Sequence, residues 1–546
     1  MIKKMLFKNE ARQALNAGVQ QLELAVGGTM GPSGKNVVLA SQGRVTKDGV
    51  SVANEVELED PFENIGASFV REAAQKTVDE AGDGTTGSVV LVASMVKGGL
   101  QILETPSINP ILMKRGMDEA CAKVVKHISE NSVQVKGDED LVNIAMISTN
   151  SDRPMAEAIA QAFKEVGENG MILREPTLEN TVKTEAIPGT IIHRGYTTPQ
   201  FINDRDNQRV FLENPFVVLV EEEISQTDEI APFMEKYVET HKMHPILFVV
   251  ENLIGDAEQF IVKNIVEKKL CAGVIRLPAN PTFARPLLED LSAITSAKYL
   301  SSEGGDKLKS AGLDIMGQAE TVIINKDYTM ILNGKPNKAK IEQVSQRLIN
   351  RIRDNHNPLN GAEREFYKAR LGRLKGKVAR IFIGANSPVE LKERHDRIDD
   401  AINAVRSALK EGIIPGGGTM YVKAAKQNNA FHNLHEDPSF QAGIELVYES
   451  ILQPLCRIAE NAGYNPEEIK ENLLSAPETE ENKNYGFNAA TGKYVDMVKA
   501  GIIDPAMVAR VALENAVSVA GMILTTECVI VEDPKFIPQM QERRTR

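Results

Sequence analysis

Apolar positions recur at helical spacing toward both ends of the chain and gather into short unbroken runs in its middle. From Lys8, the residues Ala11, Leu15, Val19, Leu22 and Val26 share one helical face, and Gly27-Gly28 ends that helix. Ile65, Phe69 and Ala73 predict a second helix running into Gly82, and Val89, Ala93, Val96 and Leu100 a third leaving Gly87. Another is predicted from Asn109 to His127. Asn36 to Leu39 and Arg44 to Thr46 flank Gln42-Gly43 as a short hairpin, with Asp48-Gly49 as its closing turn. The texture changes after Ser132. Runs at Met171 to Leu173, Phe216 to Val220, Ile246 to Val250, Val274 to Leu277 and Val322 to Asn325 then alternate with helices, as in an α/β domain. Lys338 to Lys375 reads as a charged helical hairpin turning at Asn355 to Gly361, and Val378 to Ile383 as a strand. Ile398, Ile402, Val405 and Leu409 define a helix face from which Asp400 points about 200° away, toward solvent. Phe440 to Ala462 and Ala506 to Gly521 return to the all-α texture, and Cys528 to Val531 is a lone strand in need of a partner.

The stretch with the clearest chemistry is Gly82-Asp83-Gly84-Thr85-Thr86-Gly87. Its glycines let an anion approach the backbone, and the helix that follows aims free N–H groups at the loop, which suits phosphate. Asp83 would repel a polyanion unless a hard cation lay between them, and Mg2+ favours carboxylate and phosphate oxygens. The same residues match G-x-G-x-x-G, with Glu104 some way downstream, but a helix rather than a strand enters the loop, which speaks against a dinucleotide fold. Gly-Pro-Ser-Gly-Lys-Asn at 31 to 36 has the wrong spacing for a P-loop.

At 546 residues the chain needs several domains, and a net charge of -12 argues against a nucleic-acid partner. Its four cysteines, Cys121, Cys271, Cys456 and Cys528, lack C-x-x-C pairing and read as small buried hydrophobes in a reducing compartment. Met1 to Lys8 lacks the apolar core of a secretory signal, and no apolar run reads as a membrane span, so a soluble cytoplasmic protein is expected. The pairs His241/His244 and His432/His435 lack the H-E-x-x-H context of a zinc site.

Taken in order, several motifs resemble the GroEL-type, or group I, chaperonins: Thr29-Met30-Gly31-Pro32, Val45 to Ala53, Glu57-Leu58-Glu59-Asp60, Ala81 to Thr86, Arg397-Ile398-Asp399-Asp400-Ala401, Gly416-Gly417-Gly418, Asn484 to Thr491 and Thr525-Thr526-Glu527-Cys528. The resemblance spans essentially the whole chain. It implies a multidomain protein of α/β and all-α parts: an all-α equatorial domain from 1–130 and 411–546, a small α+β intermediate domain from 131–187 and 379–410, and an α/β apical domain from 188–378. It also implies ATP hydrolysis that drives domain motion, homo-oligomeric seven-membered rings, a GroES-type lid and nonnative polypeptide substrates.

Carried over residue by residue, the resemblance makes Asp83 the Mg2+ ligand and gives Gly84, Thr85 and Thr86 to the phosphates. Thr29, Met30, Gly31, Pro32 and Lys47 complete the shell of phosphate and K+. Gly417, Asn488, Ala489 and Ala490 would pack around the nucleoside, with Asp504 near the ribose. Asp48 and Asp400 resemble the carboxylates that activate the attacking water, Asp400 arriving when the intermediate domain swings down. Tyr196, Phe201, Phe233, Met234 and Val262 would present apolar surface to the polypeptide.

Departures from the family are specific. Gly87 stands where the family loop has a third threonine, and the Asn36 to Thr46 hairpin, which would pair with a neighbour's terminal strand, is short. Gln200, Ala231, Glu258 and Lys263 replace expected aromatic or aliphatic residues of the apical groove. Cys456 and Asn465 replace a charged pair expected between rings, and the tail Phe536 to Arg546 ends in Gln-Glu-Arg-Arg-Thr-Arg rather than Gly-Gly-Met repeats. These changes raise a second expectation, a diverged paralogue with ATP-switched partner binding and weak general refolding.

Overall fold

The computed structural model describes residues 3–532 except 40–43, 150–151, 169, 178, 180, 302, 354–360, 428–435, 478 and 480–481. The chain forms two compact units, the first from Met1–Gln161, Pro176–Lys183 and Phe382–Arg546, the second from Ala162–Glu175 and Thr184–Ile381.

The first unit is built on long helices whose apolar stripes meet in one core. Ala11, Leu15, Val19, Leu22 and Val26 of the Lys8–Gly27 helix are fully buried, as their spacing requires, and pack with Val89, Leu91 and Val96 of the Thr85–Leu103 helix. The Pro61–Ala81 helix starts where Asp60 accepts hydrogen bonds from the Phe62 and Glu63 amides, with proline in its first turn. Pro110–Asn131, Pro438–Ser450 and Ala506–Thr525 complete the bundle. Thr85–Leu103 and Ala506–Thr525 are long and apolar enough to cross a membrane, which corrects the expectation that no apolar run reads as a span; here they are core helices of the bundle. The lone strand finds its partner at the other end of the chain: Cys528–Glu532 pairs antiparallel with Lys3–Phe7, Met5 opposite Ile530. Two further helices, Asp138–Ser148 and Arg153–Val166, occupy the region where the α/β texture was expected to begin. The Phe440 to Ala462 prediction resolves into two helices, Pro438–Ser450 and Gln453–Asn461, with Pro454 opening the second.

The second unit is α/β. Phe216–Ile224, Ile246–Leu253 and Ala272–Arg276 run parallel, joined through the Thr227–His241 and Gly255–Val266 helices, and their unbroken runs are buried on both faces. Gly317–Ile324 joins the other side of Phe216–Ile224 antiparallel and also pairs with Val210–Glu213 and Thr329–Gly334. His241 packs its ring against Phe216 and Tyr237, while His244 Nε2 lies 2.8 Å from the Asn214 carbonyl, so that pair is structural; His432 and His435 lie outside the described residues.

One buried charge ties helices of this unit together. Asp290, fully buried on the Pro281–Thr295 helix, accepts from Arg370 at 2.7 Å and from Arg373 at 2.5 Å, both on the Gly361–Lys375 helix. Removing Asp290 leaves Arg370 its bond to Glu289 at 2.8 Å but takes the buried carboxylate from both guanidinium groups. Asp290→Ala should therefore destabilise the protein by about 3–5 kcal/mol in chemical denaturation; an unchanged midpoint would contradict this role.

Candidate active site

Three loops of the first unit meet at the Gly82 to Gly87 stretch. Gly82 (φ 74°) ends the incoming helix and Gly84 (φ 97°) starts the outgoing one, both in the left-handed region that the double turn demands. Asp83 sits between them and accepts from the Gly84 amide at 2.5 Å. Thr29, on the turn after the first helix, donates its hydroxyl to the Val26 carbonyl and stands 3.5 Å from the Thr86 hydroxyl. The third loop brings Asp48 and Gly49: a Cβ added at Gly49 would lie 2.5 Å from Thr86 Oγ1. Asp48 does more than close a hairpin. It caps a short helix, Gly49–Glu55, accepting from the amides of Val50 and Ser51 and from the Ser51 hydroxyl at 2.6 Å. Half-buried Lys47 precedes it.

The Pro388–Glu411 helix lies against this assembly. Ser407 donates to the Ala81 carbonyl at 2.6 Å, and a Cβ at Gly82 would fall 2.3 Å from Asn403 Cβ. Asp400, Asn403 and Ser407 follow one another at spacings of three and four, so they share a face. The solvent-facing position expected for Asp400 is thus corrected. Burial, then the charges of Asp83 and Asp48 and of Asp396 one turn earlier, push its carboxyl well above the ordinary range. Asp83 is raised as well, by burial and by Asp48, against the Gly84 amide. Crowded carboxylates of this kind call for a cation. Among the described residues no three His, Cys, Asp or Glu side chains form a metal cage by themselves. The arrangement suits Mg2+ held by one carboxylate together with phosphate oxygens.

The residues that the resemblance gives to the nucleoside come from the C-terminal segment. Asp504 lies on a strand paired with Ile413–Pro415 and accepts from the Gly417 amide at 3.1 Å. Met497, fully buried, lies where a Cβ at Gly417 would be 3.2 Å from its methyl. Asn488 turns its side chain onto the Ala490 amide, and Ala489 shares an apolar cluster with Met30. Thr29 to Pro32, Asp48, Asp83 to Thr86, Gly417, Asn488 to Ala490 and Asp504 are thus all residues of one unit. Asn403, Ser407 and Met497 escaped the sequence reading. The polar stripe continuing from Asp400 was the signal for the first two.

The model of the TCP-1/cpn60 chaperonin family matches residues 22–534. The chain is a chaperonin. Among solved structures, this chaperonin is similar to the chaperonin gp146 from the bacteriophage EL 2 (Pseudomonas aeruginosa), crystallised in the presence of ATP-BeFx, with a TM-score of 0.68 and 21% identity over 97% of this chain and 99% of that one. At that identity the likeness speaks to the fold.

Burial, then the Asp83 charge, push the Asp504 carboxyl of this chaperonin from 3.8 to about 6, opposed by the Gly417 amide. Between those values the folded protein holds a proton that the unfolded chain has lost, so stability falls as pH rises, and the full cost applies above pH 6. Asp504→Asn, which can still accept from Gly417, should stabilise the nucleotide-free protein at pH 7 by about 2 kcal/mol, from the shift at roughly 1.36 kcal/mol per unit discounted for partial exposure. The gain should shrink as pH is lowered toward 4 in denaturant titrations; a gain independent of pH would contradict the origin given.

Proposed function

We propose that this ATP-dependent chaperonin hydrolyses ATP at the three-loop site and uses the cycle to enclose and fold nonnative polypeptide in a homo-oligomeric ring. The convergence of Asp48, Asp83 and Asp400 on one glycine-bounded loop carries the reading. Bound through Asp83, Mg2+ would neutralise charge on the phosphates, with K+ near Lys47 in the outer shell. Thr29, Thr85, Thr86 and the Gly84 backbone hold the phosphates; Gly417, Asn488 to Ala490 and Asp504 hold the nucleoside. Asp400, assisted by Asp48, accepts the proton of the attacking water. A Cβ at Gly87 would meet nothing within 4 Å, so the loop has room for the missing threonine, and slower turnover follows from the absent hydroxyl.

Ring assembly has surfaces to use. Val38 (72% exposed) and Val45 face one another on the hairpin, and Met5, Phe7 and Ile530 (54%) expose one face of the terminal strand pair. A neighbouring copy would cover both. The decisive experiment is refolding of a denatured stringent client by the purified protein with Mg-ATP, with and without a GroES-type lid. ATP-dependent recovery supports the proposal, and no recovery under either condition counts against it.

One observation favours the second reading, a paralogue that switches selected partners with weak general refolding or lid binding. Phe201, Phe233 and Met234, expected to face the polypeptide, are buried in the core of the second unit: the Thr227–His241 helix turns Phe233 and Met234 onto the sheet, and Phe201 joins the same core from the turn Pro199–Phe201. A groove of about 650 Å3 is lined instead by Thr197, Gln200, Glu258, Val262, Lys263 and Arg276, among others. Val262 keeps an apolar contribution, and Tyr196 is half-buried. Such a wall forgoes roughly 1.5–3 kcal/mol for each large apolar group it cannot cover, which disfavours general capture of unfolded chains. ATP binding without client recovery would select this reading.

A further inference from the structure

The phosphate-side turn at 27–32 is held from outside by one helix. Asn461, the last residue of Gln453–Asn461, donates its side-chain amide to both the Gly27 and the Met30 carbonyls, each at 2.9 Å. One turn earlier Arg457 pairs with Glu23, which is buried on the first helix. Between them Ile458 lies beneath Gly31, where an added Cβ would come within 3.1 Å of its side chain. Within the turn itself main-chain bonds such as Met30 N–H to Gly27 O and Lys35 N–H to Gly28 O, with the Thr29 hydroxyl on the Val26 carbonyl, fix the path. Thr29 sits inside the span that Asn461 bridges, and its hydroxyl faces Thr86 across the loop junction.

We infer that Asn461 is a positioning residue for nucleotide binding: its amide, bonded to two carbonyls at the ends of the Gly27 to Met30 span, fixes where Thr29 meets the phosphate loop. This rests on the ATP site proposed above. The amide is required as a double donor, because both partners are carbonyl oxygens that can only accept. Aspartate has the same shape but presents a charged acceptor to both, whereas alanine merely removes the donor, the Gly27 carbonyl keeping its bond from the Met30 amide.

The test uses the full-length protein at pH 7.5, with Asn461→Ala and Asn461→Asp, a fluorescent ATP analogue for affinity, steady-state hydrolysis for KM and kcat, and melting without nucleotide. Affinity should fall about tenfold in Asn461→Ala and about a hundredfold in Asn461→Asp, with KM rising in step and kcat within about threefold, while melting temperatures stay close to the parent. The order decides the matter. A residue that only fills space would suffer more from alanine than from isosteric aspartate; that order, unchanged affinity, or losses that track melting temperature would overturn the inference. If the parent protein binds no nucleotide, the proposed function fails by itself, and amide exchange still judges the brace. Gly34 and Lys35, whose N–H groups bond back to Gly31 and Gly28, should exchange faster in Asn461→Asp than in the parent, and equal exchange would overturn it.

Discussion

Replacing Asp400 with alanine is expected to lower kcat for ATP hydrolysis by about 10²- to 10⁴-fold while leaving ATP affinity nearly intact. Asp400 is positioned through the neighbours on its helix face: Ser407 bonds to Ala81, and Asn403 abuts Gly82. The residues assigned to the triphosphate lie on other segments, so binding should survive. Because burial and the charges of Asp83 and Asp48 raise the Asp400 carboxyl, it loses its proton-accepting form at a higher pH than an ordinary carboxylate. In the parent protein kcat should therefore decline on acidification before ordinary carboxylates titrate, near pH 4. The residual rate of Asp400→Ala should lack that limb. Normal turnover in the variant would remove Asp400 from the chemistry.

The second large effect is opposite in sign for function and for stability. Asp83→Asn keeps the shape that accepts from Gly84 but loses the charge that would hold Mg2+ in the proposed site. Magnesium-dependent ATP affinity should drop by roughly 100-fold, the upper end of the loss seen when a residue merely supporting a metal ligand is removed. The nucleotide-free protein should melt at higher temperature, since a half-buried, desolvated carboxylate facing Asp48 is relieved. Calorimetry with and without Mg-ATP reads both. A variant that binds Mg-ATP as tightly as the parent, or melts lower without it, would contradict the assignment.

How far the sequence could be read depended on the range over which each contact acts. Helical faces such as Ala11 to Val26 are local and emerged intact, as did the helix, rather than strand, leading into Gly82. The loop's glycines were read as room for an anion; that Gly82 and Gly84 also take left-handed turns came from the structure. Contacts between distant segments were not legible. The strand partner of Cys528–Glu532 lies in Lys3–Phe7, for which no strand was predicted, and Ser407 reaches a carbonyl 326 positions away. Asp400 illustrates the limit best: its helical phase was correct, yet phase alone cannot say whether the face opposite the apolar stripe meets water or another loop. Helical phase likewise left open that Phe233 and Met234 point at a sheet rather than at a partner.

The most direct test is a structure of the full-length protein with Mg2+ and an ATP analogue that mimics the hydrolytic state, solved by cryo-electron microscopy. The terminal phosphate and its cation are expected beside Asp83, with Asp48 and Asp400 on the attacking-water side and Thr29 and Thr86 at the phosphate oxygens. Nucleotide bound elsewhere, or Asp400 standing away from the phosphate while the analogue is in place, would contradict that placement.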